Sequence, residues 1–188
     1  MNPKVDAWLD AREGAIVKAV QEIIAIPSVK AEPAPGAPFG ADIKAALDHA
    51  LALAAGLGFA VKDLDGYAGY AEFGEGEELV GILCHLDVVP AGVGWTYPPF
   101  GGELHDGRIY GRGTVDDKGP AVAALYAMAA VKECGLPMKR RMRLILGCDE
   151  ESGMQCLEHY CKHAEIPAMS FSPDAEYPVS YTHLTLPT

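Results

Sequence analysis

A chain of 188 residues with 26 Asp and Glu against 15 Lys and Arg carries a formal charge of -11, which argues against nucleic-acid partners because phosphate backbones require clustered cations. The length suffices for one good core, no apolar run reaches a bilayer span, and Asp6 and Asp10 stand where a secretory leader needs apolar residues. The expectation is therefore a cytoplasmic protein with no membrane partner. Cys84, Cys134, Cys148, Cys156 and Cys161 form an odd set without a Cys-x-x-Cys pair, so reduced and mostly buried thiols are expected.

From Val5 to Ile26, apolar residues including Trp8, Leu9, Ile16, Val20, Ile23 and Ile24 recur at helical spacing, and Pro27-Ser28 ends the run. Pro33, Pro35 and Pro38 make the next stretch a loop. A second helix is expected from Asp42 to Ala55, closed by Gly56 and Gly58. The period then changes. Phe59 to Asp63, Gly69 to Phe73 and Leu79 to Leu86 read as strands, the last buried on both faces, and Arg108 to Tyr110 is a weaker candidate. Helix returns from Gly119 through Ala130, strand at Arg141 to Gly147, helix from Met154 to His163 and strand from Ala168 to Ser172. This alternation predicts an α/β fold, a mostly parallel mixed sheet with helices on both faces.

In such sheets functional groups gather beyond the carboxyl ends of strands. Leu79 to Cys84 delivers His85-Leu86-Asp87, where His85 could bind a metal while Asp87 holds its other ring nitrogen. Leu144 to Cys148 delivers Asp149-Glu150-Glu151, and adjacent glutamates can divide labour between ligand and general base. A lone carboxylate, Asp174, follows the last strand. Between them lies Gly111 to Pro120, in which Asp116 and Asp117 repel each other unless cations or hydrogen bonds hold them. Taken alone, His85-Leu86-Asp87 also fits a satisfied surface histidine, Asp149-Glu150-Glu151 an acidic turn, and Asp116-Asp117 a solvated turn capping a helix at Lys118. Together one imidazole and several carboxylates suit zinc, manganese or cobalt. His159 and His163 share a helical face but lack a zincin glutamate and read as solvated. Gly92-Val93-Gly94 lacks a dinucleotide fingerprint, and no Gly-x-Ser-x-Gly elbow occurs.

The ordered series His85-Leu86-Asp87-Val88-Val89-Pro90, Gly94-Trp95, Pro98-Pro99-Phe100, Gly107 to Gly113, Asp116-Asp117-Lys118-Gly119-Pro120 and Glu150-Glu151 resembles metallopeptidase family 20, the family of carnosinase, carboxypeptidase G and succinyl-diaminopimelate desuccinylase. Phe171 to Pro178 is similar to its PepV-type dipeptidase branch. The resemblance implies a zinc-exopeptidase-like catalytic domain and two divalent ions, zinc being expected. His85, Asp116 and Asp174 would bind one ion, and Asp116 would bridge to a second held by Glu151. Glu150 matches the general base, Asp87 matches the carboxylate that orients His85, and the Asp116-Asp117 peptide would be cis. It further implies a small peptide substrate, with N-acyl amino acids as the alternative and a non-catalytic metal-binding remnant as the non-enzymatic one.

The pattern departs from the family beyond Pro178. The family's lid or dimerisation domain and its later ligand histidine have no counterpart, and His183 is not assigned to that role. Residues 1–178 are read as the N-terminal part of a catalytic domain and 179–188 as a foreign, adaptor-derived tail, so the chain alone is expected to be poorly soluble and nearly inactive.

Overall fold

The computed structural model describes residues 2–174. The tail, the segment from Ala175 to Pro178 and His183 lie outside the described residues.

The expected first helix is two. Helix α1 (Pro3–Asp10) starts at Asn2, whose side chain accepts the Lys4 N–H, with Pro3 in the first turn where a missing N–H costs nothing. Helix α2 (Glu13–Ile24) follows a break at Arg12, whose guanidinium bonds the Trp8 carbonyl at 3.3 Å and lies 3.9 Å from the Trp8 ring centroid. Only α2 buries an apolar face, Ala19, Val20, Ile23 and Ile24, which explains the division: α1 has no buried residue to hold it in line. Helix α3 (Ala41–Gly56) covers the sheet with Ile43, Leu47 and Leu51.

The main sheet contains β1 (Ala60–Leu64), β2 (Ala68–Phe73), β3 (Leu79–His85), β6 (Arg141–Gly147) and β7 (Met169–Phe171), in the order β1-β2-β6-β3-β7. Strand β3 runs parallel to both β6 and β7, while β2 is antiparallel to β6 and β1. A separate hairpin joins the expected strand β5 (Arg108–Tyr110) to β4 (Glu103–His105), which was not foreseen.

Helices α4 (Lys118–Glu133) and α5 (Gln155–His163) complete the layers. Consecutive residues of β2 show both faces occupied. Gly69 lies under Leu47 and Leu51 of α3, whereas the Tyr70 ring sits 6.5 Å from that of Tyr160 on α5. The mixed α/β architecture is therefore the expected one. Leu144, Ile145 and Leu146 of β6 are buried, as a central strand requires. In the same strand, buried Arg143 pairs with its cross-strand neighbour Glu72 and donates to the Tyr160 hydroxyl at 2.8 Å.

Of the pair expected to be solvated, His163 is exposed but His159 is partly buried. Its ring stacks on Tyr67 at 4.3 Å and its Nε2 lies 3.0 Å from Asp65, because α5 leans on the turn between β1 and β2. Among the described residues, no helix is long and apolar enough to cross a membrane.

Candidate metal centre

Parallel pairing of β3 with β6 and β7 brings three strand ends to one edge. His85 closes β3, Glu150 and Glu151 follow β6, and Asp174 follows β7. Asp116 arrives from the loop that enters α4, next to a cis peptide bond with Asp117.

These residues converge. His85 Nε2 lies 2.9 Å from Asp116 Oδ1 and 3.6 Å from Asp174 Oδ2, and one ligand atom from each of the three residues falls within 4.8 Å of the others. Glu150 approaches at 3.9 Å from His85 Nε2. Glu151 stands outside the group of three. Its carboxyl pKa is raised by burial first, then by the charge of Asp116.

The support of His85 is of two kinds. Its Nδ1 lies 2.9 Å from the Asp87 carbonyl, which accepts the ring N–H and leaves Nε2 facing the carboxylates; the Asp87 Oδ1 is more distant, at 3.4 Å. The Asp87 carboxylate is engaged elsewhere, accepting the backbone N–H groups of Glu150 at 3.1 Å and Glu151 at 3.0 Å. Asp87 thus ties the histidine to the glutamate turn, a link that spacing in sequence could not reveal.

Asp117 was singled out only as a neighbour of Asp116. It caps nothing. Fully buried, it accepts the His85 backbone N–H at 3.0 Å, and its Oδ1 has no hydrogen-bond donor in good geometry among the described residues, although the Cys84 thiol lies alongside. Burial pushes its pKa up to about 7 against the opposing pull of His85. Lys118, also buried, sends its Nζ to the Ile26 carbonyl at 2.6 Å, joining the end of α2 to the start of α4.

The donor set fits a divalent metal. An imidazole nitrogen and carboxylate oxygens are its ordinary ligands, and here they converge with an excess of negative charge. Burial works to lower the His85 pKa, yet the Asp87 carboxylate, 3.4 Å from Nδ1, and the charges of Asp117 and Asp174 push it up to about 10. Burial followed by mutual repulsion raises Glu150 and Asp174 as well, with His85 opposing. Each shift says that the cluster is stabilised by added positive charge.

Fold and donors together define an α/β protein with a candidate divalent-metal centre at the carboxyl ends of its parallel strands. Residues 81–183 match Peptidase family M20/M25/M40, and the chain belongs to that family. It is 50% identical over 166 residues to the Bacillus subtilis protein named "Putative dipeptidase YtjP", and 42% identical over 168 residues to a Staphylococcus epidermidis "Putative dipeptidase". Those matches take in 87% and 88% of this chain but 36% of either relative, so the chain spans about a third of their length. Human carnosine dipeptidase 1 shares the fold with a TM-score of 0.77 at 24% identity, covering 94% of this chain and 42% of that one. The Sulfolobus solfataricus metallo-carboxypeptidase Sso-CP2 gives 0.70 at 20% identity, covering 85% and 37%.

Proposed function

We propose that this chain carries the metal-binding half of a dipeptidase site, in which His85, Asp116 and Asp174 hold one divalent ion and Asp116 with Glu151 contributes to a second. Zinc is the metal we assign, manganese and cobalt being compatible with the same ligands. The observation that carries the reading is the approach of His85 Nε2 to Asp116 and Asp174, with Glu150 beside them at 3.9 Å. Relatives named as dipeptidases supply the substrate class.

When bound, such ions acidify a water molecule and offset negative charge on the oxygen of a scissile amide. Glu150 is the base: its half-buried carboxylate takes a proton from the attacking water and returns it to the nitrogen of the departing amine as the C–N bond breaks. Its raised pKa suits both halves of that exchange. Asp87 holds the ring N–H of His85 through its carbonyl, which keeps Nε2 available as a ligand. Residues 1–178 are, on this reading, the N-terminal part of the catalytic domain.

Equilibrium dialysis against zinc followed by elemental analysis tests the assignment. The wild-type chain should retain one or two ions and Asp116→Ala fewer, while a wild-type chain that retains no zinc would overturn it. Glu150→Gln should retain the wild-type metal content and lose hydrolysis when both are assayed in the longer form that the relatives represent.

A further inference from the structure

The turn that carries Glu150 and Glu151 is anchored from the opposite end of the chain. Asp149, the acid just before them, has a side chain with no exposed surface. Its Oδ1 accepts Lys30 Nζ at 2.6 Å and Ser152 Oγ at 2.6 Å, and its Oδ2 accepts the Gln155 N–H at 3.2 Å. Lys30 Nζ also donates to Ser152 Oγ at 2.9 Å. The Asp149 carbonyl closes the turn by accepting the N–H groups of Gly153 at 3.2 Å and Met154 at 2.7 Å. An ionised carboxylate out of water is costly unless paired, and Lys30 is the one cation bonded to it among the described residues.

The segment around Lys30 reaches the other strand ends too. Ser28 Oγ donates to the Leu86 carbonyl at 2.6 Å, the Val88 N–H donates to the Ser28 carbonyl at 3.0 Å, and Lys118 Nζ donates to the Ile26 carbonyl at 2.6 Å. Residues 26–30 therefore clasp the loops bearing Asp87, Asp116 and Glu150 at once. Within this clasp Lys30 makes the side-chain contact to the glutamate turn, 119 positions away in sequence.

Resting on the metal site assigned above, we propose that Lys30 is a positioning residue: by bonding Asp149 and Ser152 together it sets the turn that places Glu150 and Glu151 against the His85, Asp116 and Asp174 group. It acts on that group through Asp149 and Ser152. From Asp149 the influence passes to the Glu150 and Glu151 N–H groups, then to the Asp87 carboxylate, and from the Asp87 carbonyl to His85.

The test is zinc affinity, measured by competition with a chromophoric chelator, alongside the melting temperature of each 188-residue variant. Lys30→Met should weaken zinc binding about tenfold or more, the usual size of an effect transmitted through groups behind the ligands, and Lys30→Arg should recover most of it. Because Lys30→Met leaves a buried charge unpaired and can unfold the chain, Lys30→Met/Asp149→Asn removes both charges. That double variant should melt near the wild type and still bind zinc about tenfold more weakly. A purely structural lysine would shift melting and leave affinity alone, so wild-type zinc affinity in the folded double variant overturns the proposal while the metal site stands. A wild-type chain that binds no zinc overturns both.

Discussion

Glu150 donates its backbone N–H to Oδ1 of Asp87 at 3.1 Å, so the loop bearing the candidate base is built onto the residue that supports the candidate ligand histidine. Glu151 completes the grip on Oδ2 at 3.0 Å. One buried carboxylate therefore sets the spacing between groups more than sixty positions apart in sequence.

Asp87→Asn keeps the volume but replaces one acceptor oxygen with a donor that faces a backbone N–H. One hydrogen bond to the glutamate turn is lost, and the charge that favours a cation at His85 goes with it. Zinc affinity should fall about 10- to 100-fold, measured by chelator competition. An unchanged affinity would show that the turn keeps its place without Asp87.

Arg143→Met removes a cation from the sheet interior, where it pairs with Glu72, donates to Tyr160 and stacks 4.0 Å from the Tyr70 centroid. Breaking one side of a buried pair costs about 3–5 kcal/mol. The expected loss in urea denaturation is nearer the lower figure, since Arg141 remains on Glu72 at 3.1 Å. The same network makes a pH prediction. Burial raises the Tyr160 pKa above its ordinary 10.0, although Arg143 pulls the other way. The folded state thus prefers the neutral phenol. Its contribution is fully present below about pH 10 and is lost as pH rises further, and Tyr160→Phe should flatten that part of the stability curve.

Thiol reactivity should divide the cysteines. Cys161 is exposed and Cys134 partly so, whereas Cys84, Cys148 and Cys156 are buried, and burial raises the pKa of all three. The thiolate is the reactive form, so iodoacetamide at about pH 8 should modify Cys161 and Cys134 and reach the other three only after unfolding. Mass spectrometry of tryptic peptides reads the pattern, and rapid labelling of Cys148 in native protein would contradict the packing.

Gly113 has φ +93, and a Cβ there would stand 3.1 Å from Lys118 Cδ and 3.2 Å from Val88 Cγ1. Gly113→Ala should destabilise the chain by about 1–3 kcal/mol in urea denaturation and weaken zinc binding, because alanine would strain a turn that leads directly into Asp116. Wild-type stability and affinity would show that this turn can yield without moving the carboxylate.

The linear pattern determined the α/β class and named the residues that converge. A strand buried on both faces announces itself as an unbroken apolar run, as Leu79 to Cys84 does, and chemistry at its exit shows as the abrupt arrival of His85 and Asp87. The break between α1 and α2 was hidden, since apolar spacing continues through Arg12 while burial does not. Hidden too was the service of Asp149, Asp117 and Lys30. In sequence Asp149 is one of three successive acids, Asp117 a neighbour of Asp116 and Lys30 a loop residue, yet Asp149 and Asp117 are buried and Lys30 bonds one of them. Which acid faces the cluster and which faces a lysine depends on strand register and on a hydrogen bond spanning 119 positions. Local composition carries the period of an element and the chemistry of its end, because both act over a few neighbouring residues. Partner choice among like charges is a long-range competition that only the folded chain resolves.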